Sequence, residues 1–149
     1  MIEIERKFLI KEPNVLLAKL INGNQIRQGY LFTENAKSCR VRVKGAKGFL
    51  TLKFGTDLLS RTEFEYEIPF EEACELLSQC DKVLQKTRYE IPVGHHVWEI
   101  DVFSGALDGL ILAEIELSDA AETIELPSWV GEEVTHDPRY LNVNLINGL

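Results

Sequence analysis

Acidic and basic side chains recur at every second position along much of this sequence, and that spacing is where chemistry first shows. The acids stand in pairs two residues apart: Glu3 and Glu5, Glu63 and Glu65, Glu99 and Asp101, Glu114 and Glu116. The bases Lys7, Arg40, Arg42, Lys53, Arg61, Lys86 and Arg88 fall in the same alternation. On a strand, positions two apart project the same way at roughly 7 Å, close enough for a carboxylate pair to share a hydrated divalent cation. Interleaved Lys and Arg suit a polyanion, and Arg offers paired donors to phosphate oxygens. Taken singly, each of these residues reads as a solvated surface charge. Gathered on one enclosed face they would suit a metal-bound polyphosphate, because charges in an enclosed space are costly unless paired or bound to something charged.

The elements that would gather them are strands. Ile2, Ile4 and Phe8 alternate with Glu3, Glu5 and Lys7; Val41 and Val43 with Arg40, Arg42 and Lys44; Leu50, Leu52 and Phe54 with Thr51 and Lys53. The pattern continues through 63–68 and 98–102, and segments 24–33, 82–92 and 110–118 bring the expected strands to eight. Gly-bearing connections at 44–48 and 92–94 predict antiparallel hairpins. Helices are expected from Glu12-Pro13 through Leu20, from Phe70 to Cys80, and at the tail after Asp137-Pro138. Eight antiparallel strands with few helices most simply close into a barrel, which removes exposed edges. The apolar faces would lie outside under the helices and the charged faces would line the lumen.

The chain of 149 residues is 45% hydrophobic and 27% charged, with 16 Lys+Arg against 24 Asp+Glu. Disordered and fibrous classes are excluded, and one domain over 1–149 is expected. The formal charge of −8 argues against a nucleic-acid surface, though not against a local basic pocket. No apolar run reaches membrane-spanning length and the charged start is no signal peptide, so a cytoplasmic location is expected. Cys39, Cys74 and Cys80 form no CxxC pair and read as free thiols.

With these residues in view, the sequence resembles the CYTH, or triphosphate tunnel metalloenzyme, superfamily. Glu3-Ile4-Glu5-Arg6-Lys7 is similar to its ExExK signature. In order follow Gln28-Gly29-Tyr30-Leu31, Arg40-Val41-Arg42, Leu52-Lys53, Arg61-Thr62-Glu63-Phe64-Glu65, Lys86-Thr87-Arg88-Tyr89, Trp98-Glu99-Ile100-Asp101 and Ala113-Glu114-Ile115-Glu116-Leu117. The ordered series, spanning nearly the whole chain, is far more specific than the five-residue signature alone. The resemblance implies an eight-stranded antiparallel barrel, closed or open, whose lumen binds a small-molecule triphosphate with Mg2+ or Mn2+. It further implies Glu3, Glu5 and Glu116 as metal or water ligands, with Glu63, Glu65, Asp101 and Glu114 as supporting acids. Lys7, Arg40, Arg42, Lys53, Lys86 and Arg88 are implied as phosphate ligands. Arg61 stays open between phosphate ligand and ion-pair partner, and Glu99, near a strand end, between lumen and exterior.

The family's activities include inorganic, thiamine, nucleoside and RNA triphosphatases and class IV adenylate cyclases. With short hairpins the chain leaves little sequence for a nucleobase or thiazolium pocket, which favours hydrolysis of inorganic tripolyphosphate. A non-catalytic polyphosphate-binding module is the reading from another class, and the lumen acids, which repel phosphate, weigh against it. Tyr30 is either a general base with its phenol beside Lys7 or an ordinary hydrogen-bonding aromatic. His95, His96 and His136 read as exposed loop residues, and Trp98 and Trp129 as packing residues. The last helix, around 139–145, is placed to fold against the barrel mouth and gate it; the oligomeric state is left as monomer or homodimer.

Overall fold

The computed structural model describes residues 2–148. Its elements run β1 (Ile2–Ile10), α1 (Pro13–Leu17), β2 (Asn24–Glu34), β3 (Lys37–Lys44), β4 (Lys47–Phe54), β5 (Ser60–Ile68), α2 (Phe70–Ser78), β6 (Leu84–Val93), β7 (His96–Ser104), β8 (Ile111–Leu117), β9 (Val130–Glu133) and α3 (Asn142–Asn147). All strand pairs are antiparallel, and the order is β5-β4-β3-β2-β6-β7-β8-β1-β9. A further pairing of β5 with β1 turns the first eight strands into a ring. That seam is short, holding only Ile2 opposite Thr62, Glu3 opposite Arg61 and Ile4 opposite Ser60. By contrast β1 and β8 run together from Ile4–Leu117 to Leu9–Leu112, so the ring is an uneven, open barrel.

The ninth strand goes beyond the eight expected. Four residues with no alternation carry little signal of their own. They pair because β1 outruns β5: Phe8 and Ile10 lie opposite Glu133 and Val130 and fill an edge that β5 leaves free. The first helix is also shorter than the expected run to Leu20. Pro13 begins it after a left-handed Glu12, and it lasts five residues, long enough to bury Leu16. The chain must then turn toward β2 past Gly23, where a Cβ would come within 2.5 Å of Tyr89.

Period-two alternation decides the layers. Outside β1, β7 and β8, Phe8, Trp98, Ile100, Ala113 and Ile115 form a core closed by Leu16 of α1 and by Trp129. Trp98 packs edge-on against both Phe8 and Trp129, as packing tryptophans do. Outside β3, Val41 and Val43 pack under Ala73 and Leu77 of α2. Gly48 permits this close approach, since a Cβ there would stand 2.4 Å from that of Ala73. A third cluster, Leu84, Phe103, Leu112 and Ile146, fills one end of the lumen and seats α3 there.

Candidate active site

The rest of the lumen is a charged cavity of about 210 Å³. It is lined by Glu3, Glu5, Lys7, Tyr30, Arg40, Arg42, Lys53, Arg61, Glu63, Glu65, Arg88, Glu99, Glu114 and Glu116, together with Ser38, Lys44, Thr51, Leu141, Asn142 and Val143. Of the sites read from sequence, all but Lys86 and Asp101 reach this lining. Those two lie beneath it, both buried. Glu99, left open above, faces inward. Ser38 and Thr51 share the phase of Arg40 and Lys53, so period-two counting could have found them. Leu141–Val143 carry no such signal, and only the folded chain brings them to the mouth, where the tail was expected. Walking round the ring, β7, β8, β1 and β5 supply the acids, while β4, β3 and β6 supply most of the bases. An anion-holding wall therefore faces a cation-holding one.

The bases differ sharply in how they are held. Lys86 Nζ donates to Asp101 Oδ2 at 2.7 Å, and Arg88 grips the same carboxylate from Nε to Oδ1 at 2.7 Å and from Nη2 to Oδ2 at 2.8 Å. Arg88 also reaches Glu99 at 3.1 Å and Glu114 at 3.3 Å. Lys53 bridges Glu3 at 2.8 Å and Glu63 at 3.3 Å. Arg40 donates to Thr51 Oγ1, which donates on to Glu65. Lys7 Nζ donates to the Tyr140 carbonyl at 2.8 Å and stands 3.4 Å from Glu114. The tail and Glu114, rather than the Tyr30 phenol, hold that ammonium, and Tyr30 packs against the apolar lumen cluster. Among the described residues, only Arg42 and Arg61 of the seven bases have no carboxylate within 4.0 Å. Arg42 is instead held by a neutral group, its Nε donating to Gln28 Oε1 at 2.9 Å. Gln28 is fully buried, and sequence reasoning overlooked it although it shares the inward phase of Tyr30.

The carboxylates divide in the same way. Burial pushes Asp101 up, but Lys86 and Arg88 outweigh it and hold this group well below the ordinary range. Glu114 follows the same logic, burial being outweighed by Lys7 and Arg88, which bring it to about 2. Glu5 goes the other way: burial, then repulsion from Glu114, raises it to about 8. Burial also raises Glu3, against the pull of Lys53, and Glu116, helped there by Glu3, Glu99 and Glu63. Burial with Arg40 and Arg88 nearby lowers Arg42 to about 9, and burial lowers Lys86 to about 7 against the pull of Asp101. Asp101 and Glu114 are thus counter-ions already matched; Glu3 shares Lys53 yet is still raised by burial, and Glu5 and Glu116 have no cation within ion-pairing distance among the described residues.

That shortage is what a divalent cation would relieve, and oxygen donors are the right ligand class for a hard cation. Among the described residues no three acidic, His or Cys side chains already converge as a closed metal cage. Carboxylate oxygens of this kind suit a hydrated divalent cation that also takes oxygens from a phosphate. Outside the lumen, His96 is half-buried and paired with Glu122 rather than free in a loop. All three cysteines are free thiols. No described helix is long and apolar enough to cross a membrane.

Comparison with known proteins agrees with this geometry. The CYTH domain profile matches residues 1–147. An inorganic triphosphatase of Acetivibrio thermocellus is 47% identical over 146 residues, covering 97% of this chain and 92% of that protein. An inorganic triphosphatase of Nitrosomonas europaea is 40% identical over 149 residues, covering 95% of each. The crystal structure of an inorganic triphosphatase superposes with a TM-score of 0.65 at 35% identity, covering 97% of this chain and 93% of that one.

Proposed function

The chain belongs to the CYTH domain family, and from that premise we propose that it is a divalent-metal-dependent triphosphatase that hydrolyses inorganic tripolyphosphate to pyrophosphate and phosphate. The observation that carries this reading is the facing of two walls, one of carboxylates short of positive charge and one of bases, across a single small cavity. A pure polyphosphate binder would gain nothing from Glu3, Glu5 and Glu116 there, because they repel the ligand. Apart from Tyr30, Leu141 and Val143 the lining is charged or polar. It offers no aromatic cleft for a nucleobase, which supports an inorganic chain over a nucleotide.

In this reading Glu3, Glu5 and Glu116 hold Mg2+ or Mn2+, with Glu63 and Glu65 in support. The bound cation would neutralise phosphate charge and make a coordinated water more acidic. Arg42 and Arg61, which with Lys44 are the described lining bases without a carboxylate partner, take phosphate oxygens first. Arg40, Lys53, Lys7 and Arg88 exchange part of their present ion pairing for phosphate and stabilise the charge that grows on the leaving pyrophosphate. The carboxylates orient the attacking water on the opposite wall. Lys86 and Asp101 act from below, fixing Arg88 in place rather than touching substrate. The apolar lumen end around Phe103 and Ile146 excludes bulk water from one side. Free thiols go with a reducing cytoplasm.

The test is phosphate release from tripolyphosphate, ATP, thiamine triphosphate and long-chain polyphosphate with Mg2+ or Mn2+, alongside a cyclic AMP assay. Tripolyphosphate should turn over fastest, EDTA should stop it, and Glu5→Gln should lose metal-dependent turnover while keeping the fold. Cyclic AMP from ATP, or no turnover of tripolyphosphate, would overturn the assignment. Full turnover by Tyr30→Phe would remove Tyr30 as a general base.

A further inference from the structure

The two ends of the lumen differ. At the end reached by the tail, Leu145 and Ile146 of α3 pack on Leu84, Phe103 and Leu112. The opening that remains there is a cleft between α3 and the turns after β2 and β4, with Lys37, Thr56 and Asn144 in its lining. The other end lies where β3, β5 and β8 finish and β4 and β7 begin. There the cavity lining reaches water: Glu65 and Glu116 are exposed, and Glu99 and Lys44 are half-buried. This open rim is mostly acidic, and a polyanion arriving from solvent meets repulsion over a screening length of about 8 Å in physiological salt.

One lining base answers that repulsion. Lys7, Arg40, Arg42 and Arg88 are buried, and Lys53 and Arg61 also line the cleft at the tail end. Among the described lining bases, Lys44 alone reaches water at the open end. It continues the inward row of Arg40 and Arg42 along β3, each step about 7 Å. Although Glu65, Glu99 and Glu116 share its end, no carboxylate of the described residues lies within 4.0 Å of its ammonium. The register adds an independent sign. A two-residue turn, Gly45-Ala46, joins β3 to β4 and sets Lys44 directly opposite Lys47. Like charges so placed destabilise a sheet. The pairing of β5 with β4 stops at Ile68 opposite Gly48, so no β5 residue stands opposite Lys47 to supply an acid. An anion at the hairpin tip would relieve the repulsion of the two ammoniums.

We propose that Lys44 is a further substrate-binding residue and that substrate enters past it: with Lys47 across the hairpin, it draws the polyphosphate to the mouth opposite the tail and holds the phosphate nearest that mouth. This rests on the tripolyphosphatase reading above, in which substrate meets Lys44 first and then Arg42 and Arg40 deeper along the same strand. Lys44 serves capture, an interaction common to bound substrate and transition state, so its loss raises KM and leaves kcat. Attraction from a half-buried ammonium at a wet rim is also screened by salt, unlike that of the buried arginines.

Steady-state hydrolysis of tripolyphosphate with Mg2+ over a range of NaCl tests this, with circular dichroism to check that each variant is folded. Lys44→Met should raise KM about 10-fold, the loss of one charge-assisted contact, with kcat within twofold of wild type. Lys44→Glu should raise KM further, Lys44→Arg should restore it, and the KM of Lys44→Met should depend less on salt than that of the wild type. Lys37→Met, in the cleft beside α3, should behave as wild type. A Lys44→Met enzyme with wild-type KM overturns the proposal, as does a fall in kcat alone. So does an equal rise in KM for Lys37→Met, which would place entry at the tail end. A wild type that leaves tripolyphosphate intact overturns the activity reading instead, and calorimetric binding of tripolyphosphate in EDTA then decides: Kd about 10-fold weaker in Lys44→Met supports the entry site, and equal Kd values or no binding by the wild type overturn it.

Discussion

Replacing Gln28 by Glu tests how the site keeps one cation free for substrate. Arg42 is buried, lacks a carboxylate partner, and is aimed by the Gln28 Oε1 atom 2.9 Å from its Nε. A neutral amide can orient a guanidinium without cancelling its charge, whereas a carboxylate in the same place would do both. At that separation and an effective dielectric of about 20, the carboxylate introduced by Gln28→Glu would attract Arg42 by roughly 5 kcal/mol before its own burial is counted. Substrate then meets a neutralised pair. The interaction lost is one charge-assisted hydrogen bond to phosphate, about 1.5–3 kcal/mol, or roughly 10- to 100-fold in kcat/KM. Gln28→Met keeps the length and the neutrality and removes only the tether. It should cost less and leave the salt dependence of KM as in the wild type. Initial rates of tripolyphosphate hydrolysis over a range of NaCl read both effects. A Gln28→Glu enzyme with wild-type kcat/KM would refute the reasoning, and so would a Gln28→Met enzyme as impaired as the Gln28→Glu one.

Asp101→Asn should destabilise the fold by about 3–5 kcal/mol, because it leaves Lys86 and Arg88 buried without their shared counter-ion; thermal unfolding should show a fall of about 10 °C. Lys86→Met combined with Asp101→Leu should recover part of that loss, and no recovery would place the cost elsewhere. Metal-free protein should be most stable near pH 4.5. Asp101 and Glu114 are held low, so their stabilisation is present above their free values and is lost as pH falls below about 4.5; Glu5, raised to about 8, stabilises at low pH and loses that contribution as pH rises from about 4.5 through 8. Melting curves in EDTA should fall on both sides, with the alkaline limb flattened in Glu5→Gln, and a steady rise from pH 5 to 8 would contradict this. The β2–β3 turn places Asn35 at φ 43° and Ala36 at φ 62°, both left-handed, so Ala36→Gly should raise stability by up to about 1 kcal/mol, read as a melting point a few degrees higher.

The alternation of charged and apolar residues settles much of this protein without tertiary information. Parity alone puts Glu3, Glu5 and Lys7 on one side of β1 and Ile4 and Phe8 on the other. Repeated round the ring, it yields the charged lumen and the identity of nearly all its lining residues. Parity reports facing and nothing about depth or partners. Lys86 and Arg88 share a phase, as do Asp101 and Glu99, yet Lys86 and Asp101 sink beneath the cavity while Arg88 and Glu99 line it. Glu5 and Glu114 are the same residue type two strand positions from a neighbouring acid, and one is raised while the other is lowered. The difference lies in which cations β6 and β1 bring within reach across the sheet. The short strand β9 and the tail at the cavity mouth are likewise invisible to local pattern. Each exists because another element left an edge or an end to be filled. Which residues face the lumen thus follows from the two-residue repeat of a strand, a property of neighbours in the chain. Which of their charges are already paired, and which stay free for a cation and a phosphate, follows only from the fold, because pairing depends on distances between strands far apart in the chain.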